Sequence, residues 1–156
     1  MTMDQNLNQK LEALNQIYEM IDDVYDSYAR SCHITDAELW ILYALSEHNG
    51  DYLQTDICRG WNYSLQTIHT AIKNMEKRGM ITLICQPGNR KNKYIHLTEE
   101  GEKAVAKIVE PLTKAEKEAL ASLTQEEQDL LLPLLQKHAN ALKTAVEKIH
   151  DTGEKP

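Results

Sequence analysis

Between Ser64 and Ile81 the chain reads SLQTIHTAIKNMEKRGMI. Gln66, Thr67, His69, Thr70 and Asn74 in that run can both donate and accept hydrogen bonds, and Lys73 donates from a charged group. Side chains of this size and mixed character suit the donor and acceptor pattern along base edges in a DNA major groove. Lys73 and Lys77 suit phosphates as well, contacts that add affinity without sequence information. Further on, the run QPGNRKN and the lysine after it place Asn89, Arg90, Lys91 and Lys93 around a Pro-Gly turn. A cation there suits the negative potential of a narrow minor groove. From Arg59 to His96 there are seven cations (Arg59, Lys73, Lys77, Arg78, Arg90, Lys91, Lys93) and one acid, Glu76, a net of +6. The whole chain carries a formal -7, so the remainder holds -13. Such segregation is the footprint of a polyanion-binding face on an acidic body.

Other residues are candidates for sensing chemistry. Cys32 ends a stripe that contains Tyr18, Tyr25 and Tyr28, with Arg30 and His33 close in sequence. A nearby cation and access to solvent would make that thiol a redox candidate; the alternative is a buried structural cysteine. Tyr18, Tyr25, Tyr28, Trp40 and Tyr43 either line an aromatic ligand pocket or simply build the seam and core. His33, His48, His138 and His150 lack the spacing or Cys/His clustering of a readable metal site, so no metal and no cofactor are expected. Cys58 and Cys85 read as packing residues. There is no phosphate loop, dinucleotide fingerprint or placeable nucleophile, histidine and acid arrangement, so an enzyme is not expected.

The elements that must position these residues follow from pattern. Leu7, Leu11, Leu14, Tyr18, Ile21, Tyr25, Tyr28 and Cys32 alternate at spacings of four and three. That is one narrow stripe on a long helix, a seam that needs a partner surface. Thr35 with Glu38 forms a capping box that starts the next helix, which Asn49-Gly50 ends. A short helix follows over about 54–60, then Trp61, read as packing, and then Ser64 as the cap of the basic helix. That helix should bury Leu65, Ile68, Ala71, Ile72 and Met75 and stop at Gly79. Runs 80–85 and 93–97 predict a β-hairpin with a basic tip. Thr98 caps a helix that Pro111 should kink, and Thr124 with Glu127 caps the last one. The last helix carries Leu131, Leu135, His138, Leu142, Ala145 and Ile149, again at four-three spacing, before a frayed tail DTGEKP. The fold class is therefore mainly α with a small β-hairpin wing. A helix, turn, helix unit whose second helix fits the major groove is flanked by long dimerisation helices.

At this point a resemblance becomes specific. The run YLQTDICRGWNYSLQTIHTAIKNMEKRGMI followed by GNRKNKYIHLTEEG is similar to the winged helix-turn-helix of the MarR family of bacterial transcriptional regulators. The matching features are Ser64 and Thr67, then Met75-Glu76 before Lys77-Arg78-Gly79-Met80-Ile81, and then Ile95, Leu97, Thr98 and Gly101 at the end of the wing. The resemblance implies a homodimer whose first and last helices interleave, residues 1–32 and 112–156, around a DNA-binding region at 33–111. It implies a recognition helix at 64–78 in the major groove and a wing at 85–94 whose Arg90 enters the minor groove. Targets are then pseudo-palindromic double-stranded operators. Most members of the family repress, and many release DNA when a small ligand binds. One departure stands out: the family usually has Asp before the wing arginine, and here it is Asn89, which accepts a hydrogen bond without charge assistance.

The expected DNA-binding set is therefore Ser64, Gln66, Thr67, His69, Thr70, Lys73, Asn74, Asn89, Arg90, Lys91 and Lys93. The alternative is a MarR-like protein-interaction module that has lost specific DNA binding. With 156 residues, three distant cysteines, no signal-like N-terminus and no long apolar run, the chain is expected to be cytoplasmic, with no membrane contact.

Overall fold

The computed structural model describes residues 3–48, 51–60, 63–86 and 89–151, with the side chains at 3, 51, 58–60, 86, 89–92 and 150–151 outside the described set. The order is α1 (Met3–Ser31), α2 (Asp36–Glu47), β1 (Asp51–Leu53), α3 (Gln54–Gly60), α4 (Leu65–Lys77), β2 (Ile81–Gln86) and β3 (Asn89–Leu97). Then come α5 (Glu99–Ala104), a π-helical turn (Val105–Val109), α6 (Glu110–Ala121) and α7 (Gln125–Asp151). Met1–Leu112 form one compact unit and Thr113–Pro156 another. The mainly helical class with a hairpin wing is what the sequence predicts.

In the first unit α2 is the central helix. Thr35 Oγ1 accepts from the Glu38 N–H and Glu38 Oε2 accepts from the Thr35 N–H at 2.8 Å, so two donors left over at the helix start are satisfied. Leu39, Ile41, Leu42 and Leu45 are fully buried, so this helix is covered on more than one side. The turn into α2 is a Schellman closure of α1. The N–H of Ile34 donates to the Ala29 carbonyl and that of His33 to the Arg30 carbonyl. His33 takes the left-handed conformation there, φ 58°, a place more often filled by glycine.

The sheet has the order β1-β3-β2, all antiparallel. Ile81 and Ile95 face the core, whereas Thr82 and Ile84 are exposed, the alternation of a half-buried sheet. β1 carries no signal in the sequence pattern, since DYL is too short to show a period. The regular ladder runs from Ile81↔Leu97 to Cys85↔Lys93, close to the strand ends expected from sequence. Beyond it the pairing jumps to Gln86↔Asn89, so β3 carries an irregularity over 90–92. The expected turn at Pro87-Gly88, the helix end at Asn49-Gly50, the packing of Trp61 and the tail after residue 151 lie outside the described residues.

Pro111 is expected to kink one long helix. The helical run consists of α5, a π turn just before Pro111 and α6, with the Glu110 N–H donating to the Val105 carbonyl. A widened turn just before Pro111 accommodates a residue that cannot donate and whose ring crowds the carbonyl four positions back. Tyr28 Oη donates to the Ile108 carbonyl at 2.8 Å, which ties α1 to this turn. In the second unit, Thr124 and Glu127 form the predicted capping box of α7. Pro133 lies inside α7, a position the sequence pattern did not single out.

Candidate nucleic-acid interface

α4 is built as the pattern requires. Ser64 caps it, its Oγ accepting from the Thr67 N–H at 3.1 Å. Ile68, Ala71, Ile72 and Met75 are buried. Leu65 corrects the expected core: in the first turn it stands 64% exposed, beyond the reach of the packed face. Ser64, Gln66, Thr67, His69, Thr70, Lys73 and Asn74 are all exposed.

Several of these groups are partly committed. The Ser64 and Thr67 hydroxyls lie 2.8 Å apart in a hydrogen bond. Thr70 Oγ1 donates back to the Gln66 carbonyl, and Gln54 Nε2 pairs with His69 Nδ1. Among the described residues, Gln66, Lys73 and Asn74 have no hydrogen bond or ion pair to their side chains, so their polar atoms are open to a partner.

The far end of α4 is locked to the hairpin. The Gly79 N–H donates to the Glu76 carbonyl and that of Met80 to Met75, a Schellman closure with Gly79 at φ 72° as predicted. Thr98 Oγ1 donates to the Gly79 carbonyl and accepts from the Gly101 N–H, and the Thr98 N–H donates to the Met80 carbonyl. A Cβ at Gly101 would meet the Met80 carbonyl oxygen at 2.0 Å, so this position has no room for a side chain. The Leu97, Thr98, Gly101 motif is therefore the joint that fixes the hairpin against the end of α4.

One cation in the sequence count is not presented to a partner as assumed. Arg78 Nη2 lies 2.8 Å from Glu38 Oε1, and the Glu38 residue is 3% exposed. That pair neutralises Arg78 and clamps the C-cap of α4 to the first turn of α2. The hint in the sequence was an acid inside an otherwise apolar helical stretch. On the wing, the β3 backbone carries Asn89, Arg90 and Lys91, but their side chains lie outside the described residues. Lys93 is half-buried and pairs in register with Cys85.

The aromatic candidates separate. Trp40 meets Tyr25 at 4.9 Å and Tyr43 at 5.6 Å between ring centroids, both tilted contacts. Tyr28 is half-buried near Cys32, and Tyr18 is exposed on α1. Burial, followed by the adjacent Cys32, pushes the Tyr28 phenol above its ordinary value, in keeping with its role as a donor. Burial, then Asp26 and Asp22, also raise the Asp36 carboxyl, although Trp40 donates to it and partly offsets the effect. Tyr63 Oη donates to Asp36 as well.

Cys32 is half-buried beside Ser31 Oγ, and Arg30 turns to Asp26 and Ser27. Cys85, expected in strand packing, is exposed at the end of the regular ladder; the Cys58 side chain lies outside the described residues. His48 stacks on Tyr52, and His138 is half-buried on α7. No group of three or more His, Cys, Asp or Glu among the described residues could hold a metal ion. No helix among them is long and apolar enough to cross a membrane.

Residues 34–91 match the model of the MarR family. A comparison with curated proteins gives no match. Among solved structures, a MarR-like transcription regulator from Bacillus cereus ATCC 10987 is similar at TM-score 0.70 and 18% identity, covering 88% of this chain and 99% of that one. The MepR protein of S. aureus, solved as a DNA complex, is similar at TM-score 0.69 and 21% identity, over 84% of this chain and 96% of that one. The organohalide-sensing regulator RdhR in its 2,4-dichlorophenol-bound form gives TM-score 0.66 at 20% identity, over 90% and 82%. The MarR family model thus matches the helix-turn-helix region, and the fold along most of the chain is similar to that of these solved regulators.

Proposed function

We propose that the chain is a cytoplasmic, homodimeric, sequence-specific DNA-binding regulator of transcription, a repressor modulated by a small ligand. The observation that carries this reading is α4: an exposed polar face with Gln66, Lys73 and Asn74 open to a partner, on a helix fixed at both ends. Residues 64–78 would read the major groove, with Ser64, Thr67, His69 and Thr70 contributing alongside. Asn89, Arg90, Lys91 and Lys93 would bring the wing to the minor groove and flanking phosphates. The MepR complex supports DNA as the partner, and the chlorophenol-bound RdhR supports a small effector. The cluster of Tyr25, Trp40 and Tyr43, with Tyr28 and Tyr18 further along α1, is the candidate aromatic pocket. Exposed apolar residues on α1 and on α7 support a dimer formed through residues 1–32 and 112–156.

The test is selection of sites from a random DNA library at near-physiological salt, because such binding is salt-dependent. A pseudo-palindrome with half-sites about one helical turn apart is the expected result. Weak, sequence-blind binding that vanishes with salt would overturn the reading.

The acidic remainder of the chain and Asn89 favour one alternative, a protein-interaction module. Replacing Lys73, Arg90 and Lys91 together separates the two. Specific DNA binding disappears in the triple variant if the first reading holds, and a protein partner is retained if the second does.

A further inference from the structure

An open cleft of about 800 Å³ lies in the first unit at the meeting of the α1 C-terminus, the turn into α2 and the C-terminal end of α4. Its walls carry Arg30, His33, Thr35, Asn74, Lys77 and Arg78, with Glu38 as the one acid. Glu38 is already matched by Arg78, and Arg30 shares its charge with Asp26 on the exposed side of α1. Lys77 has no ion pair, and the Asn74 side chain has no hydrogen bond, among the described residues. The only purely aliphatic wall residue is Ile34, so the cleft lacks the aromatic surface that Tyr25, Trp40 and Tyr43 form elsewhere. Its size suits a small molecule rather than a single water or ion. Cations, a hydroxyl and an amide converging on one concavity suit an oxyanion with several acceptor oxygens.

We infer that this cleft binds a small phosphorylated anion and passes its occupancy to α4. Three of its walls are α4 residues. Asn74 and Lys77 belong to the exposed face assigned to DNA, and Arg78 is the C-cap. An anion here engages Asn74 and Lys77 and competes with Glu38 for Arg78, whose side chain is 38% exposed and so within reach. Loss of the Arg78–Glu38 clamp frees the end of α4 from α2. The link to DNA rests on the reading of α4 as the groove-reading helix; the binding site does not.

The probe is inorganic pyrophosphate, titrated calorimetrically into the full-length protein in magnesium-free buffer at fixed ionic strength. The variant is Arg30→Gln with His33→Asn. Neither residue is placed at the DNA face, and Asn tolerates the left-handed backbone at 33. Arg30→Gln alone, at an exposed site, is the second variant if the pair folds poorly. Saturable binding at one site per chain, weakened by about tenfold or more in the variant, is the expected result. On a selected operator, pyrophosphate should lower the DNA affinity of the wild type but not of the variant. No saturable binding, or equal binding to both proteins, overturns the assignment. A variant that loses DNA affinity and salt dependence while the wild type ignores pyrophosphate also overturns it, since the cleft then holds a backbone phosphate. Saturable binding lost in the variant upholds the site even where no specific DNA binding is found.

Discussion

Asp36 is the residue whose titration reports directly on the fold. Burial and the nearby Asp26 and Asp22 hold its carboxyl above the ordinary 3.8, despite donation from Trp40. Its proton is therefore bound more tightly in the folded chain than in the unfolded one. The stability linked to that proton is fully present below the unfolded pKa and is lost as pH rises through the raised folded value. At neutral pH the ionised carboxylate weighs against the fold. Asn at 36 can still accept from Tyr63 Oη but carries no charge. Asp36→Asn should thus melt above the wild type at pH 7, with the gap closing toward pH 4. Thermal denaturation across that range checks it, and a variant that melts lower at pH 7 contradicts the assignment. Glu38, two residues on, shows what sequence cannot display. Its capping role was legible from Thr35 three positions earlier, but its pairing with Arg78 joins residues 40 positions apart and exists only once α2 and α4 pack.

At the scale of elements, the joint between α4 and the hairpin is the feature most sensitive to substitution. The hydrogen bonds of Thr98 to Gly79, Met80 and Gly101 need the first turn of α5 hard against the Met80 carbonyl. Gly101→Ala forces backbone apart and should cost about 1–3 kcal/mol, the usual range for overpacking. A urea titration would read this as a lower midpoint; a change within about 0.5 kcal/mol, ordinary for a surface site, would contradict it. The local signals were the readable ones. The capping boxes at Thr35 and Thr124, the Ser64 cap and the Gly79 stop all lie within a few residues of sequence and appear where expected. β1 was illegible because its three residues gain strand geometry only from pairing with β3. The π turn was illegible because Pro111 signals a disturbance without fixing its form. Leu65 and Cys85 are exposed against expectation because periodicity marks a face but not where the packed surface ends.

For the whole molecule, the apolar seam predicted on α1 is only partly covered within one chain. Ala29 and the half-buried Tyr25, Tyr28 and Cys32 pack on the core, whereas Leu11 is 52% and Ile21 44% exposed. α7 leaves Leu135, Leu142 and Ile149 exposed in the same way. In the proposed homodimer, Leu11→Asp with Ile21→Asp should shift sedimentation from dimer to monomer without loss of helical signal; an unchanged dimer mass would place the interface elsewhere. The central claim, that the exposed face of α4 reads bases, is tested most directly by titrating Gln66→Ala against a selected operator and its single-base variants. The account predicts that discrimination falls by about 1–3 kcal/mol at one position in each half-site while the other positions keep theirs. A uniform loss of affinity across all sites, or none, would contradict it.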